Sequence, residues 1–307
     1  MQVTPQHSNP KNLSSTALLG TVVAAFGKRY IVECQQTQQK ISCVTRGKKT
    51  NLACGDVVTF ALTDKNEGII EAHHERKSLL YRSDAFKSKL LAANVSQIVI
   101  VLATQPSFYE ALLSRCLVAA EAANIHPLIV LNKCDLNDSF GAKNILQFYA
   151  DLGYKTLMLT AKNHVDAIKP YLEGHASILV GQSGMGKSTI INALLPDQSV
   201  RTQEVSTVLD SGKHTTTAAH LYHINQNSSL IDSPGLQEFG LYHLSQQALE
   251  LAFVEFRPFL GHCKFNNCKH QQEPECAIKL AVAAGKIAAK RVEIYQQVQS
   301  EISKVFY

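Results

Sequence analysis

Ser177-Ile178-Leu179-Val180 runs into Gly181-Gln182-Ser183-Gly184-Met185-Gly186-Lys187-Ser188-Thr189, and Ile190-Ile191-Asn192-Ala193-Leu194-Leu195 follows. An apolar strand, a loop of the form G-x-x-x-x-G-K-[ST] and an apolar helix stand here in the order a phosphate-binding loop requires. The glycines let successive backbone N–H groups point inward without a Cβ in the way. The helix N-terminus adds favourable partial charge for an anion. Lys187 is placed to reach the β- and γ-phosphates and the Ser188 hydroxyl to ligate Mg²⁺. Residues 181–189 as a set, with Gln182, Ser183, Gly184, Met185, Gly186 and Thr189, make the expected cradle.

Upstream, the apolar run 128–131 ends in Asn132-Lys133-Cys134-Asp135. An Asp at a strand end can accept hydrogen bonds from guanine N1–H and the 2-amino group together. Adenine offers an acceptor at N1 and nothing at position 2, and a site built for donors rejects such an analogue by roughly 10⁴-fold. Lys133 is expected along the base plane, Asn132 as a tie to the cradle, and Thr160-Ala161-Lys162 as the loop backing the base. Downstream, Leu230-Ile231-Asp232-Ser233-Pro234-Gly235 fits D-x-x-G. There Asp232 holds Mg²⁺ through water, and the Gly235 N–H meets the γ-phosphate. Gly212-Lys213-His214-Thr215-Thr216-Thr217 suits a switch that orders around Mg²⁺. Thr216 is the preferred candidate for the remaining Mg²⁺ ligand. Leu236 stands where Ras-like enzymes carry the water-orienting glutamine. His214 is a candidate replacement catalytic group and equally reads as a solvated loop residue.

In an ordinary GTPase the cradle comes first, the switches next and the guanine loops last. Here 132–135 and 160–162 precede 181–189 and 232–235, so the same sheet must be built with its termini moved, a circular permutation.

Around this core the chain of 307 residues is long enough for two or three domains. Residues 1–15 read as a polar, disordered lead-in. Residues 16–75 carry short strands at 18–23, 30–33, 41–44, 57–62 and 68–71, a five-stranded β-barrel of the OB type or an SH3-like one. A basic linker, Glu75-Arg76-Lys77-Ser78, opens the segment 76–243, where apolar runs at 98–103, 128–131, 156–159 and 177–180 alternate with helices near 109–123, 141–152 and 165–172. That alternation is a parallel sheet covered on both faces. From 244 to 307 no strands are expected, only helix, with Ile287, Ile294, Val298, Ile302 and Val305 at apolar positions.

Charge decides little: a net +5 fits an acidic partner such as nucleic acid and an ordinary basic protein equally. The sequence contains no long apolar run, so no membrane partner is expected. Cys34, Cys43, Cys54, Cys116 and Cys134 lie singly in apolar surroundings as reduced thiols, which points to a cytoplasmic compartment. The remaining three join a histidine in Cys263-x₄-Cys268-x-His270-x₅-Cys276, a closed tetrahedral set for one structural Zn²⁺. A disulfide reading leaves one cysteine over. Lys264, Lys269, Lys279, Lys286, Lys290 and Arg291 surround this knot, as phosphate contacts or as a solvated face.

Together the motifs at 132–135, 181–189, 212–217 and 232–235 and the four zinc ligands resemble the ribosome small-subunit-dependent GTPase A family of circularly permuted GTPases. The resemblance spans nearly the whole chain. It implies an OB-fold, a central GTPase and a zinc-binding helical domain. It further implies late maturation of the small ribosomal subunit, with binding to its rRNA and GTP hydrolysis stimulated by that subunit. A monomer that cycles between GTP and GDP is the expected form. The alternatives are an RNA-binding module that keeps GTP as a structural ligand and, against the four-ligand shell, a zinc hydrolase.

Overall fold

The computed structural model describes residues 17–46, 51–83, 88–138, 141–196, 219–233 and 241–304. The lead-in and the expected switch positions His214, Thr216 and Gly235 lie outside the described residues.

Five strands build the N-terminal barrel: β1 (Leu18–Phe26), β2 (Arg29–Cys34), β3 (Lys40–Thr45), β4 (Val57–Asp64) and β5 (Glu67–His73). They pair in the order β1-β2-β3-β5-β4, and β4 returns to β1 to close the ring. The β3–β5 pairing is parallel while the others are antiparallel. That one parallel contact decides between the two barrels left open by the sequence, in favour of the OB-fold. Alternation along each strand points Val22, Val32, Ile41, Cys43, Val58, Phe60 and Ile70 into a common core.

Two elements escaped the sequence reading. The first is a hairpin, β6 (Leu79–Ser83) with β7 (Ser88–Ala93), between barrel and GTPase. Arg76, expected in a basic linker, instead braces this join. Its Nε donates to Asp56 Oδ1 and its guanidinium to Asp56 Oδ2, both at 2.7 Å, and it also donates to the Asn51 carbonyl at 2.8 Å. Asp56 is buried and its Oδ2 also accepts from Ala53 N–H, so the carboxylate is fully used.

The GTPase sheet contains β8 (Gln97–Ala103), β9 (His126–Asn132), β10 (Lys155–Met158), β11 (Ala176–Val180), β12 (His220–His223) and β13 (Ser229–Asp232). Its order is β10-β9-β8-β11-β13-β12, parallel except for the last pair. Strand β12 is the second unforeseen element; through Ala24↔His220 it joins the sheet to β1 of the barrel. Strand β11, which feeds the cradle, lies mid-sheet yet comes fourth in the chain, which is the circular permutation in spatial form.

Helices α1 (Glu110–Ala122) and α2 (Ala142–Asp151) flank the sheet. The helix expected over 165–172 is instead a 3₁₀ turn (Val165–Ile168) followed by α4 (Lys169–Leu172), with the short α3 (Ala161–His164) before it, and α5 (Lys187–Leu194) follows the cradle. Pro170 at the second position of α4 explains the interruption, since it lacks the N–H a continuous helix needs. Strand β8 is buried throughout: Ile98, Ile100 and Leu102 face the α1–α2 side, Val99, Val101 and Ala103 the α5 side.

The C-terminal segment holds α6 (Gln246–Ala252), a 3₁₀ turn (Val254–Phe259), α7 (Ala277–Ala283) and α8 (Ala289–Lys304), with no strand among the described residues. Leu249, Phe253, Phe256, Tyr295 and Val298 share one apolar core with Leu113 and Leu117 of α1. Arg291, which the charge pattern placed on a phosphate-binding or solvated face, is instead buried at 1% exposure. Its Nε donates to Glu255 Oε1 at 2.5 Å and its Nη1 to Ser114 Oγ at 2.8 Å, and the guanidinium lies 4.6 Å from the Phe253 ring centroid. Lys290 pairs with Glu110 of α1, Lys264 with Glu275, and Arg115 with Glu301 through two bonds of 2.5 and 2.7 Å.

Arg291→Met strands the Glu255 carboxylate without its partner, and the expected cost is about 3 kcal/mol. Urea unfolding checks this, because Arg291→Met, Glu255→Leu together should recover most of the loss. Equal losses in both proteins would mean that shape, and not charge, holds the joint.

Candidate nucleotide site and zinc centre

All the predicted nucleotide motifs that are described sit at C-terminal ends of parallel strands: Asn132 closes β9, Thr160 follows β10, Gly181 follows β11 and Asp232 closes β13. This is where open α/β sheets bind ligands. The register Leu179↔Asp232 sets the acidic residue beside the loop that begins two residues later.

The cradle is built on glycine for stated steric reasons. A Cβ on Gly181 would lie 2.4 Å from the Val101 carbonyl oxygen, and one on Gly186 would lie 2.2 Å from Asn132 Nδ2. Both residues have positive φ, 147° and 99°. Lys187 begins α5, and its Nζ donates to the carbonyls of Gly181 at 2.7 Å and Gln182 at 3.0 Å, which curls the ammonium under the loop. Burial pulls the Lys187 pKa down, against the pull of Asp232. Burial likewise pushes the Asp232 carboxyl up, against the pull of Lys187. Two opposite charges, each short of solvent, can be satisfied by a phosphate and a divalent cation between them. Ser188 and Ser183 are exposed at the mouth, Thr189 is half-buried and Met185 fills the core beneath.

Asn132 joins the two halves of the site. Its Nδ2 donates to the Met185 carbonyl at 3.0 Å, and its Oδ1 accepts from Ala161 N–H at 3.0 Å. Lys133 takes φ 59°, Cys134 N–H donates to the Leu159 carbonyl, and Asp135 is left exposed. Asn132, Lys133, Asp135, Leu136, Thr160, Ala161, Lys162 and Thr189 line one cleft. Thr160 directly precedes α3 without a side-chain capping bond, and Ala161 and Lys162, expected in a loop, open that short helix. The reading missed residues 104–109, which run between the two loops and carry no recognisable motif.

The zinc residues converge. The four ligand atoms of Cys263, Cys268, His270 and Cys276 all lie within 4.8 Å of one another. His270 Nδ1 is 3.6 Å from Cys263 Sγ, 3.6 Å from Cys268 Sγ and 3.3 Å from Cys276 Sγ, and Cys263 Sγ is 4.0 Å from Cys276 Sγ. A tetrahedral Zn²⁺ with ordinary bond lengths separates sulfurs by about 3.8 Å and sulfur from nitrogen by about 3.6 Å. The set fits that ion, and the 4.0 Å separation excludes a Cys263–Cys276 disulfide. His270 Nε2 lies 3.7 Å from Glu250 Oε1, within ion-pair range but too long for a hydrogen bond, and that carboxylate oxygen accepts from Gln246 Nε2 and the Tyr295 hydroxyl. The Ala277 N–H donates to Cys263 Sγ, which suits a thiolate.

The model of the RsgA GTPase family matches residues 73–242, more than half of the chain. The chain belongs to the RsgA GTPase family. It is a GTPase of circularly permuted architecture with an OB-fold before the catalytic domain and a zinc-binding helical module after it. Among curated relatives, the Small ribosomal subunit biogenesis GTPase RsgA of Nitrosospira multiformis is 48% identical over 293 residues, covering 95% of this chain and 93% of that protein. The protein of the same name from Burkholderia pseudomallei is 48% identical over 307 residues, covering 98% of each. Of solved structures, YjeQ from Thermotoga maritima superposes with TM-score 0.72 at 29% identity, covering 94% of this chain and 99% of that one. YloQ, described as a circularly permuted GTPase, gives TM-score 0.67 at 26% identity over 98% of both chains.

Proposed function

We propose that this chain hydrolyses GTP to time its residence on the small ribosomal subunit during that subunit's biogenesis. It binds rRNA there and leaves when the nucleotide is cleaved. The observation that carries the nucleotide half is the Asn132 side chain, which ties the phosphate cradle to the base cleft, so that base identity and phosphate state are read by one rigid unit. The subunit half rests on the family and on relatives named for small ribosomal subunit biogenesis that match along almost the full chain.

In this reading Asp135 pairs with guanine, Lys133 flanks the base, and the segment 160–162, tied to Asn132 through Ala161 N–H, backs it. Residues 181–189 wrap the phosphates, Lys187 neutralises charge developing on the β–γ bridge, and Ser188 and Asp232 hold Mg²⁺ with Thr216. Gly235 meets the γ-phosphate and His214 orients the water that Leu236 cannot. The four zinc ligands hold the C-terminal module and take no part in hydrolysis. The chain works in the cytoplasm as a monomer, and no helix among the described residues is long and apolar enough to cross a membrane.

Without a glutamine after Gly235, hydrolysis by the protein alone is slow, and small subunits raise it by at least about tenfold, some 1.4 kcal/mol of barrier. Phosphate release with purified 30S-type subunits, large subunits and no addition checks the proposal. Equal rates in all three would overturn it, and His214→Ala with small subunits present assigns the water-orienting group.

A further inference from the structure

Residues 104–109 leave the C-terminal end of β8 and run between the base cleft and the phosphate cradle. Thr104 is fully buried. Its hydroxyl donates to the Lys133 carbonyl at 2.7 Å, and its N–H donates to the Asn132 carbonyl at 3.3 Å. The same Lys133 carbonyl accepts from Leu136 N–H at 3.0 Å, closing the four-residue turn that contains Asp135. The Gln105 carbonyl accepts from Lys133 Nζ at 2.9 Å, and Gln105 Nε2 donates to the Asn137 carbonyl at 3.0 Å. At the far end, Tyr109 N–H donates to Gln182 Oε1 in the cradle at 2.9 Å.

Lys133 needs this support. At φ 59° an L-residue occupies a conformation that persists only where its surroundings hold it. Thr104 acts on the one carbonyl that both follows that residue's strained φ and closes the turn.

We propose that Thr104, seconded by Gln105, is a specificity-determining positioning residue for the purine base: it fixes the 133–136 turn so that the Asp135 carboxylate meets ring positions 1 and 2 together. The inference rests on the guanine reading of Asp135 above. A carboxylate on a loose turn can still accept one hydrogen bond from N1–H. Accepting the 2-amino hydrogen as well requires both oxygens in the plane of the base, and geometry of that kind is lost when the turn wanders. Inosine nucleotides keep N1–H and lack the 2-amino group, so they report the single bond alone.

The test measures GDP and IDP affinity of the full chain by displacement of a fluorescent guanine nucleotide, for wild type, Thr104→Val, Thr104→Ser and Gln105→Ala. Removing the hydroxyl at constant volume should shrink the preference for GDP over IDP about fivefold, the worth of one ordinary hydrogen bond. Thr104→Ser keeps the donor and should keep the preference, whereas Gln105→Ala should shrink it about twofold. A role confined to stability would weaken GDP and IDP by the same factor, and that result, or no change in either, overturns the inference. Should Thr104→Val not fold, Gln105→Ala decides alone, and an unchanged ratio there is equally fatal. A wild-type protein that binds GDP, IDP and ADP alike defeats the guanine reading itself. A selective wild type whose Thr104→Val variant stays as selective defeats only the role given to Thr104.

Discussion

Asparagine at position 135 should turn the protein from a guanine binder into a xanthine binder. Asp135 is exposed at the edge of the cleft shared by Asn132, Lys133 and Thr160, with both carboxylate oxygens open to a base. Guanine brings two donors, N1–H and the 2-amino group, and in the proposed pairing the carboxylate accepts both. An asparagine keeps one acceptor and replaces the other with a donor, so one guanine N–H keeps a bond, now to a neutral oxygen, and the other meets an N–H head on. Hydrogen bonds to charged groups contribute about 1.5–3 kcal/mol each, so losing one, weakening the other and adding a donor–donor clash weakens GTP on the order of 10³-fold. Xanthine carries an oxygen at position 2 and accepts from the new amide, so XTP should gain while GTP falls. The preference between them then moves by roughly 10⁴-fold. Competition of GTP and XTP against a fluorescent nucleotide, on wild type and Asp135→Asn, reads this directly. A variant that still takes GTP with wild-type affinity would remove Asp135 from base recognition and leave the cleft without a reader.

How far such a site can be read without coordinates depends on where its chemistry lies. The cradle was legible because its function is in the backbone: Gly181 and Gly186 are there to leave room against Val101 and Asn132, and a glycine at fixed spacing announces that need. The zinc set was legible for a similar reason, since few other needs bring three cysteines and a histidine so close together in a chain. Strands β8, β9 and β11 were legible because burial on both faces forces continuous apolar runs. Strand β12 was not. Its sequence, His220-Leu221-Tyr222-His223, alternates weakly, being an edge between two domains and only partly covered. Thr104 and Gln105 carry no signal at all, because they act through neutral hydrogen bonds to main-chain carbonyls that any sequence possesses. Arg76 and Arg291 misled in the opposite sense. A basic residue reads as solvated until its acidic partner is found, and Asp56 and Glu255 lie 20 and 36 positions away.

Removing zinc should dismantle more than the loop that binds it. The segment 260–276 has little regular structure, so its ordering depends on the four ligands and the chain they pin. Structural Zn²⁺ supplies on the order of 10 kcal/mol in small zinc domains, comparable to the whole stability of an average protein. Two ligands are anchored inward: Cys268 and Cys276, with Ile278 beside them, are buried in the core that also contains Phe253, Phe256 and Tyr295 from the module and Leu113 and Leu117 from α1. Loss of the ion exposes that face of α1. Strong chelation, or Cys276→Ser, should therefore lower the melting temperature of the protein and speed hydrogen exchange in α1, α7 and α8. The cradle side should resist, because α5, Met185 and Ile190 pack on the opposite face of the sheet, in a core with Val99, Val101 and Leu179. GDP affinity should consequently change by less than about threefold, under 0.7 kcal/mol. Exchange measured with and without chelator, alongside GDP affinity on the same samples, separates the cases. Unchanged protection in α1 would mean that the module is a passenger on the GTPase. A loss of GDP binding in step with zinc would mean that the two faces of the sheet are not independent, and that the metal reaches the nucleotide through β8.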